Sequence, residues 1–155
     1  MTIRAGIAGA TGYAGVELIR LLGIHPEVQV VLAGTESYQG QELASVYPHL
    51  RGRIDLVGQE AAAEALAACD VVFASLPHGV TMALAPAVLG AGRRLIDLGA
   101  DFRLRDVATY EAWYKKAHTA PDLAAEAVYG LPELYREQVR GARLVANPGC
   151  YPTAC

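Results

Sequence analysis

The stretch Asn147-Pro148-Gly149-Cys150-Tyr151-Pro152-Thr153-Ala154 sets a thiol just behind a strand-like segment and at the start of a helix-like one. Gly149 frees the backbone ahead of the thiol, and Pro152 suits a first helical turn. A thiol there is favoured as thiolate by the helix dipole and by N–H groups without intrahelical partners. It also emerges at the carboxyl edge of a sheet, the side on which open α/β folds bind ligands. Such a nucleophile can form a thioester and present it for hydride transfer. An arbitrary cysteine is more often inert and buried. That reading fits Cys69, at the end of an alanine-rich helix, while Cys155 has no comparable context.

A second motif lies near the other end, Gly9-Ala10-Thr11-Gly12-Tyr13-Ala14-Gly15. This is G-x-x-G-x-x-G, a variant of the dinucleotide fingerprint with its first two glycines one residue further apart. Glycines let the backbone turn tightly and approach a pyrophosphate, whose charge rests on free N–H groups at a helix N-terminus. The candidate cofactor residues are Gly9, Thr11, Gly12, Tyr13, Ala14 and Gly15. Glu36 falls roughly 20 residues further on, the spacing at which an acidic residue meets the ribose 2′-OH. Its neighbours Thr35 and Ser37 are suited instead to a 2′-phosphate. Glu36 reads equally well as a solvated loop charge.

These motifs require strands and helices to hold them. Ile3–Ala8 reads as a strand and Tyr13–Leu22 as a helix, through the spacing of Val16, Leu18, Ile19, Leu21 and Leu22. Val28–Ala33 is a β-branched run suited to a strand buried on both faces. Residues 34–53 read as irregular, 60–68 as an alanine-rich helix and Val71–Ser75 as a strand. Val80–Leu89 reads as a helix kinked or broken at Pro86. Arg94–Leu98 and Leu144–Ala146 are strands, separated by an amphipathic segment Val107–Ala117 and an irregular connection. Tyr110, Trp113 and Tyr114 share helical spacing and read as packing residues. The alternation predicts an α/β fold, a Rossmann-type doubly wound parallel sheet that binds NAD(P).

Bulk properties agree. The 155 residues are enough for one domain with a real core, and 53% are hydrophobic against 19% charged. The net charge of −3 gives no reason to expect nucleic acid or a membrane surface as partner. Asp70, His78 and frequent Gly and Pro interrupt every candidate span. Three cysteines make neither a disulfide framework nor a zinc pattern, so no metal is expected and a reducing, cytoplasmic setting is. The chain stops five residues after Cys150, which reads as a piece of a longer protein: residues 1–147 a dinucleotide-binding domain, 148–155 the start of a catalytic domain.

GATGYAG, YPHLRG (Tyr47–Gly52), LPHG (Leu76–Gly79), DLGADFRL (Asp97–Leu104), YGLPEL (Tyr129–Leu134) and NPGCYPTA occur in order along the chain. In these motifs it resembles the N-acetyl-γ-glutamyl-phosphate reductases of arginine biosynthesis. The resemblance implies a nucleotide-binding domain followed by a catalytic α+β domain, with NADPH as reductant for an acyl phosphate. It puts the nucleophile on Cys150 and the substrate at Arg103 and Asn147, with Leu76, Pro77 and His78 as a loop over the cofactor. The whole protein is then expected to be a homo-oligomer acting on a small acyl phosphate. Arg103 has a competing reading, an ion pair with Asp101 or Asp106. His78 reads as loop packing or a cofactor contact, since the family's catalytic histidine falls beyond residue 155. His25, His49 and His118 carry no strong signal. Two departures stand out. Thr35-Glu36 replaces a common Ser-Arg, which weakens the case for NADP and leaves NAD possible, and Gly99 stands where many members have Ser. The aminoadipyl-phosphate reductases of lysine biosynthesis share much of the pattern, and a bare cofactor-binding module is the reading of a different class.

Overall fold

The apolar runs of the N-terminal half are realised as parallel strands. The computed structural model describes residues 2–155, which divide into two units, residues 2–75 and 76–155. The first unit runs β1 (Ile3–Ala8), α1 (Tyr13–Leu22), β2 (Val28–Gly34), α2 (Leu43–Val46), a 3-10 turn (Pro48–Leu50), β3 (Gly58–Gln59), α3 (Ala63–Ala67) and β4 (Val71–Ala74). Its strands lie in the order β3-β2-β1-β4, all pairs parallel. The chain therefore steps outward from β1 to β2 and β3, then returns to the other side of β1. Ala5, Ile7 and Ala8 of β1 are fully buried, as a central strand requires. Ile7, Ala10, Ile19, Ala33, Leu43 and Leu50 form the core beneath the glycine turn.

The second unit runs α4 (Thr81–Gly90), β5 (Arg94–Asp97), α5 (Val107–Tyr114), α6 (Pro121–Glu126), β6 (Val128–Tyr129), α7 (Pro132–Gly141), β7 (Leu144–Ala146) and α8 (Cys150–Ala154). Its strands lie in the order β5-β7-β6, again parallel. The expected parallel α/β architecture is met in both units.

Several expectations need correction. The stretch read as irregular over residues 34–53 contains α2 and the 3-10 turn, and β3 follows it. β3 is two residues long and exists because Gly58 and Gln59 pair with Ala33 and Gly34. The helix read over 60–68 shrinks to Ala63–Ala67. Pro86 does not break its helix; α4 runs unbroken from Thr81 to Gly90 around it. The connection before β7 is not irregular but holds α6, β6 and α7, and Pro121 and Pro132 each open a helix, where a missing N–H costs nothing. The segment Val107–Ala117 is helical only to Tyr114, because Lys115 turns left-handed at φ 54°. Tyr110 is fully buried and stacks on Tyr114 with ring centres 4.9 Å apart, but Trp113 is 79% exposed and packs little.

Candidate active site

In the first unit, the turn after β1 sits where strand order reverses, between β1 and its neighbours β2 and β4. That is the switch point at which open α/β sheets take ligands. Gly9 adopts φ 80°, a conformation L side chains rarely reach, and its N–H and that of Ala10 both donate to Gly34 O at 3.0 and 2.8 Å. A Cβ on Gly15 would stand 2.1 Å from Gly9 O, so only glycine lets α1 pack this closely on the turn. Gly12 is different. A Cβ there would meet only Gly9 O at 3.5 Å, an ordinary contact. The fold itself does not demand a glycine at this position, which is the N-cap of α1 and makes no side-chain cap. The first N–H groups of α1 are therefore left for an incoming anion, with no side chain in the way.

The surroundings complete a binding surface. Thr11 Oγ1 and Thr35 Oγ1 are 2.8 Å apart, tying the turn to the end of β2. Tyr47 donates its hydroxyl to Thr11 O at 2.7 Å. A cleft of 490 Å³ opens beside them, lined by Thr11, Gly12, Tyr13, Val16, Tyr47 and His49 among others. Tyr13 and Ala14 are exposed at the start of α1. Glu36 and Ser37 are exposed just past β2, and the Glu36 carboxylate makes no ion pair among the described residues.

In the second unit, β5 and β7 run side by side and end together, Asp97 opposite Ala146. Both catalytic-looking loops leave from these two ends. Asn147 donates its N–H to Asp97 O at 2.8 Å, and Cys150 opens α8 after the extended Gly149. The thiol is exposed. Thr153 fastens the short helix through its N–H and hydroxyl, both donated to Gly149 O. Pro152 lies in the first turn, as expected.

Arg103 reaches the same place from the other loop. Its Nε donates to Asn147 O and one terminal nitrogen to Leu98 O, each at 2.8 Å. A methyl built on Gly149 would stand 3.4 Å from the other terminal nitrogen. The guanidinium is thus held directly behind the residue preceding the thiol. It makes no ion pair among the described residues, which corrects the competing reading. Both carboxylates proposed for that pair are occupied elsewhere. Asp106 caps α5, accepting from Ala108 N–H and the Thr109 hydroxyl. Asp101 is fully buried and accepts from Gly79 N–H, from Met82 N–H at 3.0 Å and from the Tyr110 hydroxyl at 3.0 Å. Two donors of Arg103 are used by carbonyls, and the rest are free for an anion.

Leu76, Pro77 and His78 form the loop leading into α4. Gly79 turns it at φ 83°, and the donation of Gly79 N–H to Asp101 pins it. His78 is exposed, its ring 5.7 Å from that of Tyr114, so its environment is one of loop packing. Asn147 turns its side-chain amide onto Pro148 O at 3.2 Å, and contributes its backbone to the Arg103 anchor.

Two residues escaped the sequence reading. His118 is buried, with Nε2 2.7 Å from Asp101 O and Nδ1 accepting from Ala120 N–H at 3.2 Å. Asp97 is also fully buried, and burial is the main cause that pushes its carboxyl up to about 6. Thr81 and the Gly99 N–H oppose this, Asp101 adds to it, and Arg103 opposes it. Tyr110 is likewise pushed up, by burial first and then by its bond to Asp101.

A family model described as "Semialdehyde dehydrogenase, NAD binding domain" matches residues 4–142. Among curated proteins, the N-acetyl-gamma-glutamyl-phosphate reductase of Symbiobacterium thermophilum is 81% identical over all 155 residues. That of Cellvibrio japonicus is 51% identical over 152 residues, 98% of the chain. The chain spans 44% of the length of each of these relatives. Among solved structures, aspartate semialdehyde dehydrogenase II of Vibrio cholerae matches 99% of the chain and 44% of its own, with TM-score 0.67 and 18% identity. Aspartate semialdehyde dehydrogenase with NADP from Candida albicans matches 95% of the chain and 42% of its own, with TM-score 0.62 and 19% identity. At such identities the solved structures speak for the fold. No described helix is long and apolar enough to cross a membrane.

Proposed function

The chain belongs to the semialdehyde dehydrogenase family as its NAD-binding domain, and on that premise we propose that the whole protein reduces N-acetyl-γ-glutamyl phosphate to N-acetylglutamate semialdehyde and phosphate. The observation that carries this reading is the unpaired Arg103 guanidinium, locked to the carbonyls of Leu98 and Asn147 directly behind Gly149 and Cys150. An anion-binding group and an exposed thiol side by side suit attack on an acyl phosphate. The names of the relatives at 81% and 51% identity support the glutamyl substrate over the aminoadipyl one. Residues 1–147 are read as the dinucleotide-binding domain and 148–155 as the opening of the catalytic one, with the chain alone binding cofactor without turnover. The whole protein is read as a homo-oligomer, and as cytoplasmic in keeping with cysteines that form no disulfide among the described residues.

Cys150 attacks the carbonyl carbon, the C–O bond to phosphate breaks, and the acyl group is left as a thioester on Sγ. Arg103 holds the departing phosphate through the donors its two carbonyl contacts leave free, offsetting the charge that develops on the leaving oxygen. The N–H groups behind Gly12 would hold the pyrophosphate of a reduced nicotinamide dinucleotide, which when bound would supply the hydride for reduction of the thioester. The open N-cap at Gly12 and the adjoining cleft fit such a group. The acid/base that handles the thiol proton is assigned to a histidine outside residues 1–155, as the resemblance implies.

The resemblance implies NADPH, whereas the exposed Glu36 carboxylate repels a 2′-phosphate. Glu36→Gln is expected to tighten NADPH about fivefold and to change NADH less than about twofold, the scale of one solvent-screened charge pair. Fluorescence titration checks this, and an unchanged NADPH affinity makes Glu36 a solvated loop charge. The activity itself is tested with the full-length protein run in reverse, on phosphate, oxidised cofactor and N-acetylglutamate semialdehyde. Turnover is expected there, and a preference for aspartate semialdehyde or the aminoadipate homologue contradicts the substrate assignment.

A further inference from the structure

The ends of β5 and β7 are joined by a closed ring of hydrogen bonds that begins and ends on Asp97. Asn147 N–H donates to Asp97 O, and Asn147 O accepts from Arg103 Nε. Arg103 then donates to Leu98 O, and the N–H of the next residue, Gly99, returns to Asp97 Oδ1 at 2.9 Å. Every member of the ring is backbone except two side chains, the Asp97 carboxyl and the Arg103 guanidinium. Gly99 fits tightly in it, since a Cβ there would stand 2.9 Å from Asp97 Oδ1.

The other carboxyl oxygen is the unusual one. Asp97 Oδ2 and Thr81 Oγ1 are both buried, and neither has a partner with full hydrogen-bond geometry. Thr81 is itself fully buried at the start of α4, and its hydroxyl lies close enough to favour the ionised carboxylate. A buried polar atom without a partner is costly, and the cost differs between the two protonation states of Asp97. The charged and titratable groups facing Asp97 are Asp101 and Arg103 on the loop after β5 and Tyr110 on α5, while α4 contributes Thr81 and β7 leads into the Asn147 N–H.

We propose that Asp97 is a positioning residue of the Cys150 site: it aims the Arg103 guanidinium through the ring, and its ionisation sets how much of that positive charge reaches the thiol. The proposal rests on the placement of the nucleophile at Cys150 but is read out without turnover. With Asp97 neutral, the Arg103 charge acts undiminished on Cys150. With Asp97 ionised, a buried negative charge behind the guanidinium offsets it and disfavours the thiolate. The lifted carboxyl, near 6, brings this change into the accessible pH range.

The experiment is the alkylation rate of Cys150 by the neutral reagent iodoacetamide, in the full-length protein, from pH 5 to 8. The Cys150 peptide is quantified by mass spectrometry, with fragment ions separating it from Cys155. The expected log rate rises with pH but is offset downward about threefold across pH 6, the scale of one partly screened charge interaction. Asp97→Asn keeps the Gly99 contact and is expected to abolish the offset. Thr81→Val removes the hydroxyl that favours ionisation and is expected to move the offset to higher pH. A wild-type profile without the offset, or one that survives Asp97→Asn, overturns the proposal. Should Asp97→Asn not fold, an offset left in place by Thr81→Val overturns it instead. Failure of this proposal leaves Cys150 as nucleophile, whereas failure of that assignment shows in turnover and leaves the alkylation offset intact.

Discussion

Cys150→Ser in the full-length protein is expected to lower turnover of the acyl phosphate by on the order of a thousandfold or more, with cofactor affinity unchanged. The size follows from what is lost. A serine hydroxyl at neutral pH is a far weaker nucleophile than a thiol. An oxygen ester also receives hydride less readily than a thioester. Removal of a nucleophile that splits one difficult step into two typically leaves only the contribution of binding and charge stabilisation. The turn proposed to bind the cofactor belongs to the first unit and Cys150 to the second, so dinucleotide titration is the control. Turnover within tenfold of wild type removes the covalent mechanism.

Arg103→Lys is expected to have the next largest effect, a fall of about a hundredfold in kcat/KM with a raised KM for phosphate in the reverse direction. Lysine keeps the charge but not the fork. A guanidinium spans Leu98 O and Asn147 O at 2.8 Å each and still has donors for an anion. One ammonium cannot hold both carbonyls and a phosphate in the same plane, so the substitution separates geometry from charge. A variant with unchanged KM for phosphate shows that Arg103 only braces the loop before Cys150. Because its carbonyl anchors include the residue three before the thiol, the unfolding temperature should be recorded alongside.

What the sequence disclosed and what it hid divide along a physical line. The β1–turn–α1 unit was legible because every requirement in it is local: an apolar run, a glycine that turns at positive φ, and a helical period starting at Tyr13. Cys150 at a helix start was legible for the same reason, since Gly149 and Pro152 mark the junction themselves. β3 and β6 were not. Each is two residues long and is made by its neighbour, Gly58–Gln59 by β2 and Val128–Tyr129 by β7, and no period can be read from two residues. α6 and α7 were hidden by shortness in the first case and by a strongly polar surface in the second, although Pro121 and Pro132 at their first positions were a usable start signal.

The site shows the same division. Arg103 is singled out by the resemblance, but its partners depend on distances. Asp101 and Asp106 are nearer in sequence than Asn147, yet both carboxylates serve helix starts and leave the guanidinium to carbonyls. Asp97 and His118 were passed over because burial decides their importance. An aspartate at the end of a strand and a histidine in a loop are ordinary surface residues until the fold encloses them. The run from Asp97 to Arg103 holds two buried acids and one unpaired cation within seven positions, and that density was the signal available.

The central claim is that the substrate becomes covalently attached to Cys150, and it is tested most directly by leaving the reductant out. Full-length protein mixed with N-acetyl-γ-glutamyl phosphate in the absence of reduced cofactor should release a burst of phosphate approaching one per subunit. The peptide containing Cys150 should gain the mass of one acyl group, which hydroxylamine removes. No burst, or an acyl group found on any residue other than Cys150, contradicts the account.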